Sequence, residues 1–177
     1  MHWDQLIDEL EAAVDAEERR ALASEVADRT RRELARLHVV DRLRAAAGVD
    51  ITLGVDGAGP LPARVCRTAP DWLLVDDGAG TEHLVVSAAI LWIDGLPPRA
   101  VDPAALSAVD RRLGLGSVLR GAARDRRAVQ VRLRDGTEFS GIVGRVGADF
   151  VGVRTNDRHA AGERCLPFAG IAAIRLS

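Results

Sequence analysis

The chain has 177 residues, 47% of them apolar, and a formal net charge of −2. That is too apolar for a disordered chain and long enough for one medium domain or two small ones. Apolar runs such as AAILWI at residues 88–93 fall far short of the roughly 20 residues a bilayer span needs, and the acidic start MHWDQLIDEL lacks the basic character of an export signal, so a cytoplasmic protein with no membrane partner is expected.

From residue 1 to residue 47 there is no Pro or Gly, and Trp3, Leu6, Ile7, Leu10 and Val14 recur at helical spacing. The stripe is interrupted at DAEERR, where Asp15 and Glu18 form a capping pattern. It continues at Leu22, Val26, Leu34, Leu37, Val40 and Leu43. One long helix with an irregular stripe and a helical hairpin breaking near residue 15 both fit. In either form the apolar face calls for a partner, since an isolated amphipathic helix is marginal in water.

Beyond Gly48 the period falls to two. Val49, Ile51, Leu53 and Val55 alternate along one face, as do Val129, Val131 and Leu133 opposite Gln130, Arg132 and Arg134. Residues 51–75 align with 129–153 without a gap at an offset of 78, keeping Arg67/Arg145, Asp71/Asp149 and Trp72/Phe150. The alignment resumes at an offset of 81 with Glu82/Glu163, Ile90/Ile171 and Ile93/Ile174, and LRAAA at Leu43 is echoed by LRGAA at Leu119. The pattern reads as a duplicated unit of one helix and five short strands.

Within the second copy, Asp135-Gly136 is a hairpin turn, because a tight connection needs positive φ. Gly141 inside the next strand reads as a bulge or sharp bend, and Gly147 supplies the following turn. The polar residues 156–163 form a loop, and Pro167 ends the fourth strand by removing a ladder donor. GLGSVLRG at residues 114–121 lacks nucleotide-loop spacing and reads as a helix start; a further helix is expected at 103–112. Five short strands around one core would make a small barrel.

The run VQVRLRDGTEFSGIVGRVGADFVGV, followed after a loop by RCLPFAGIAAIRL, resembles a unit of the Sm, LSm and Hfq family. The likeness covers residues 115–177 well and 39–96 more loosely, and Src-homology-3-like barrels share the strand pattern. It implies an α+β, mainly β fold: an N-terminal long helix or helical hairpin (1–47), a first five-stranded barrel (48–97), a linker with short helices (98–127) and a second barrel (128–177) in tandem. The family's RNA-pocket residues do not carry over. Ala148 and Pro70 stand where the family has Asp, Val151 or Gly152 where it has Asn, and Pro167, Phe168 and Ala169 where Hfq has Tyr-Lys-His.

All 24 basic residues are Arg, and Asn156 is the single Asn, which points to a GC-rich coding bias more than to chemistry. The distribution is more telling. Residues 1–18 carry seven acids and no Arg, while the C-terminal 79 residues are net +6 against −8 for the rest. Arg124, Arg126 and Arg127, with Arg132 and Arg134 on the polar face of the next strand and Arg145 beyond, are the candidate phosphate contacts. The paired Arg67/Asp71 and Arg145/Asp149 read as cross-turn ion pairs or as ligand contacts, and Trp72 and Phe150 as packing residues or as base-stacking platforms.

Cys66 and Cys165 lack CxxC spacing and are expected as buried free thiols, with no metal site. His2, His38, His83 and His159 are scattered, and no nucleophile, base or paired-carboxylate arrangement emerges. No enzyme and no cofactor are therefore expected. Two functions fit: a noncatalytic nucleic-acid-associated protein, RNA foremost, using the basic second barrel and linker, and a protein-interaction scaffold or adaptor using the N-terminal helix and the barrel surfaces, any open barrel edge included. Self-association into a homo-oligomer is a further expectation.

Overall fold

A computed structural model describes residues 3–102, 113–155 and 162–176, with the side chains of 3–12 and 15 left aside. The helix expected at 103–112 and most of the loop at 156–163 lie outside the described residues. The chain divides into two compact units, one ending at His38 and one beginning at Val39.

The first unit is α1 (Trp3–Leu34), a single helix that runs unbroken through residue 15. Local charge supports it: Arg20 pairs with Glu17 at 2.9 Å and Arg29 with Glu33 at 3.0 Å, exposed helix pairs worth a few tenths of a kcal/mol each, roughly. Val14, Leu22, Val26 and Leu34 are all more than half exposed. The helix ends in tightened three-residue bonds, Arg36 N–H to the Glu33 carbonyl and Leu37 N–H to the Leu34 carbonyl, both at 3.1 Å.

The second unit opens with α2 (Val39–Ala45), which buries Leu43 and Asp41; Arg44 holds the Asp41 carboxylate at 2.9 Å. Five strands follow: β1 (Asp50–Val55), β2 (Gly59–Thr68), β3 (Trp72–Asp76), β4 (Glu82–Val86) and, after a single 3-10 turn, β5 (Ile90–Asp94). Then come α3 (Leu115–Arg124), at the helix start expected there, and β6 (Ala128–Leu133), β7 (Glu138–Val146), β8 (Phe150–Thr155), β9 (Glu163–Pro167) and β10 (Ile171–Leu176).

These strands form one antiparallel sheet in the order β5-β1-β2-β3-β4-β10-β6-β7-β8-β9. Two closed tandem five-stranded barrels, Sm-like or Src-homology-3-like, are thus not what the chain builds. Closing the first barrel would require β4 to bond back to β5; instead β4 pairs with β10 through Ala173↔Val85, Ile174↔Leu84 and Arg175↔His83. Closing the second would require β10 to bond to β9, and its two sides are already taken by β4 and β6. The sheet is therefore open, with β5 and β9 as its edges, and it is continuous, so no tandem pair of self-contained units exists. The α+β, mainly β character holds.

The two runs of five share strand order and pairing register. Thr52↔Asp94 in β1–β5 corresponds to Gln130↔Arg175 in β6–β10, and Val65↔Val75 to Val143↔Val153. Side chains that alternate inward, including Ile51, Leu53, Val75 and Val85 from one run and Val129, Val131, Val153 and Ile171 from the other, belong to one buried cluster. Each buried aliphatic of this kind contributes roughly 1.5–3 kcal/mol.

Two local expectations shift. Gly141 is regularly paired with Val129 and Thr155, and the register break comes later, between Val143 and Val146. A Cβ at residue 141 would stand 2.3 Å from the Arg154 carbonyl oxygen, so glycine is needed for close approach of β8. Cys66 and Cys165 are both exposed rather than buried, because Val65 and Leu166 take the inward positions of the alternation beside them. The Asp135-Gly136 turn forms as expected, with Gly136 at φ 87° and the Thr137 N–H donating to the Asp135 carboxylate at 2.8 Å.

Candidate interaction surface

The six arginines expected to contact phosphate fall at the two ends of β6 and on β7. Arg124, Arg126 and Arg127 stand exposed where α3 runs into β6. Arg145 is near that end too, since the Val143 N–H reaches the Arg127 carbonyl at 3.4 Å, and its own N–H donates to the Glu163 carboxylate at 3.2 Å. Arg132 lies five residues along the chain from Arg127, roughly 17 Å of extended strand, and Arg134 stands just past the end of β6, in the turn to β7. Both have carboxylate partners: Arg132 pairs with Glu138, and Arg134 with Asp56 at 2.9 Å.

The turn residues kept in both runs do different things. Asp71 accepts the Leu115 N–H with both carboxylate oxygens, at 3.2 and 3.0 Å, so it caps the start of α3. Trp72 is buried, its indole N–H donating to the Leu113 carbonyl at 2.9 Å. Its counterpart Phe150 is 36% exposed. The likeness survives in the backbone: Ala69 N–H bonds the Trp72 carbonyl and Gly147 N–H the Phe150 carbonyl, each at 2.9 Å.

In the loop between β3 and β4, Asp77 accepts N–H bonds from Ala79 at 2.9 Å and Thr81 at 3.1 Å, and its other oxygen lies 3.2 Å from His83 Nε2. Those bonds, the Ala79 N–H first and then His83, hold its carboxyl below the usual range. They organise a turn. Among the described residues no group of three or more His, Cys, Asp and Glu is placed to hold a metal ion, and no described helix is long and apolar enough to cross a membrane.

The scaffold reading allowed for an open edge without saying which strand supplies it, and one such edge is β5. Among the described residues β5 bonds to β1 alone, so its outer N–H and C=O groups have no described strand partner. Leu91 and Trp92 on this strand are 63% and 43% exposed, and Val39 at the start of α2 is also more than half exposed. Together they border an open groove of about 520 Å³ between α2 and β5. An edge strand carrying large apolar side chains is a template for pairing. AAILWI was visible as an apolar run, but nothing in the sequence tells an edge strand from a central one. The opposite edge, β9, carries exposed Cys165 and Pro167 around buried Leu166.

The chain matches no family model and no curated protein sequence. The likeness to Sm-like proteins thus rests on the quoted residues alone, without a second line of support.

Proposed function

We propose that the chain is a noncatalytic protein-association module that binds a partner along the edge of its sheet. The observation that carries this reading is the combination, on β5, of edge backbone without a described strand partner and the partly exposed apolar side chains of Leu91 and Trp92. Edge pairing supplies main-chain hydrogen bonds for affinity, and the apolar side chains supply selectivity. The ion pairs of Arg132 with Glu138 and of Arg134 with Asp56 favour this reading over a nucleic-acid contact, because they already supply carboxylate partners to two of the six candidate arginines.

The test is capture from nuclease-treated lysate by the immobilised full chain, beside a Leu91→Asp variant whose fold is checked by circular dichroism. A protein retained without nucleic acid and lost with Leu91→Asp supports the reading. Salt-sensitive binding of single-stranded RNA that disappears when Arg124, Arg126 and Arg127 become Ala, with Leu91→Asp silent, overturns it.

A further inference from the structure

The joint in the middle of the sheet is a template for what covers its ends. β10 sits between β4 and β6, and Ile171, Ala172, Ala173 and Ile174 are all buried there. The strand at the same place in the first run is β5, whose matching residues Ile90 and Ile93 are half-buried and Leu91 and Trp92 exposed, because its outer side has no neighbour strand among the described residues. The partner of β10 is β4, with Leu84 buried; the strand matching β4 is β9, where Cys165 at the Leu84 position is exposed. The same contrast holds beside the strands. Leu115 opens α3 and is buried, while Val39 opens α2 and is exposed; Trp72 is 3% exposed against 36% for Phe150.

Each copy of the chain thus has one edge of the β10 kind and one of the β4 kind, both uncovered. Building on the edge-pairing role above, we propose that a second copy of this chain occupies the β5 edge, laying its β9 strand antiparallel along it. The β4–β10 register, transferred by the offset of 81, pairs Trp92 with Leu166, Ile93 with Cys165 and Asp94 with Arg164. The last pair sets opposite charges directly across the joint, and such cross-strand pairs are favourable. Asp94 is exposed, and the Arg164 guanidinium is already held over the Phe139 ring, 4.2 Å from its centroid. Pro167, which has no N–H to give, falls just outside the three paired positions. The contact is head-to-tail, so it uses two different surfaces and leaves one of each free at the ends of any open assembly.

Sedimentation of the full chain over a range of concentrations tests this, with expected masses at integer multiples of 18.9 kDa. Asp94→Arg and Arg164→Asp, each introducing like charges across the joint, raise the dissociation constant by roughly tenfold or more. The double variant recovers most of the loss. In a Cys66→Ser background, Ile93→Cys gives reducible intermolecular crosslinks to Cys165 on mild oxidation, which reads the register directly. A mass of one chain at every concentration, or association indifferent to both charge reversals, overturns the proposal. If the chain stays monomeric while lysate capture remains sensitive to Leu91→Asp, the second copy is the wrong occupant and the edge keeps its role. If both are lost, the edge reading falls as well.

Discussion

The Asp71 carboxylate receives the Leu115 N–H through both oxygens, at 3.2 and 3.0 Å, so a turn in the first half of the sheet caps the helix that leads into the second. An anionic acceptor at a helix start satisfies an orphan donor and complements the helix dipole. Asp71→Ala is expected to destabilise the protein by about 1 kcal/mol, read from denaturant midpoints at constant slope. Asp149→Ala, at the exposed counterpart turn, should stay within about 0.5 kcal/mol.

Trp72 separates packing from hydrogen bonding. Trp72→Phe keeps an aromatic ring but loses the bond to the Leu113 carbonyl, for an expected loss of about 1–3 kcal/mol. Trp72→Ala also empties the space under α3, with an expected cost of about 3–5 kcal/mol. Equilibrium unfolding followed by circular dichroism orders the two variants; an Ala variant no worse than Phe would show that the site collapses freely.

Two glycines should respond with opposite sign. Gly141→Ala drives a Cβ to within 2.3 Å of the Arg154 carbonyl oxygen, and backbone on backbone has little room to give, so a loss of about 1–3 kcal/mol is expected. Gly121, inside α3, has nothing within 4 Å of a new Cβ, and Gly121→Ala should gain about 0.5–1 kcal/mol from helix propensity. Thermal midpoints of the two variants should move in opposite directions from the wild type.

The response to acid follows from Asp77 and Asp135. Backbone N–H groups, from Ala79 on Asp77 and from Thr137 on Asp135, hold both carboxyls below their ordinary value of 3.8, with His83 adding to the effect on Asp77. A folded-state pKa below the unfolded one means the folded chain binds fewer protons there. Their contribution is present above the ordinary carboxylate pKa and is lost as pH falls through it toward the lowered folded values. Carboxyl carbon chemical shifts in an acid titration would place both midpoints below the ordinary value of 3.8, and Asp77→Asn should flatten the acid limb of the stability profile.

Strands were legible because period two is written into Ile51, Leu53 and Val55 and again into Val129 and Val131, and because Asp135-Gly136 has one ready use. Neighbours across the sheet were not. A strand with one face inward shows the same alternation whether its outer N–H groups bond within its own half or to another, so β4 and β10 give no sign in sequence that they meet. The helix boundary was hidden too: no Pro or Gly marks residues 35–38, between a first helix that ends at Leu34 and a second that buries Leu43. Trp72 and Phe150 occupy equivalent places in sequence, and the segment over Trp72 makes one buried where the other stays about a third exposed. The arginines were easy to see as a group by composition. The carboxylate partners of Arg132 and Arg134 required the third dimension.

Order of synthesis gives the three-residue joint between β4 and β10 a further meaning. Every residue of β1 to β9 leaves the ribosome before β10 does, yet β10 stands sixth in the sheet, between strands made long before it. Until it arrives, β4 and β6 have no common neighbour, and both carry an open margin of backbone groups. A chain stopped short of Ile171 would lose its middle and keep its rims, leaving two half-sheets on one thread.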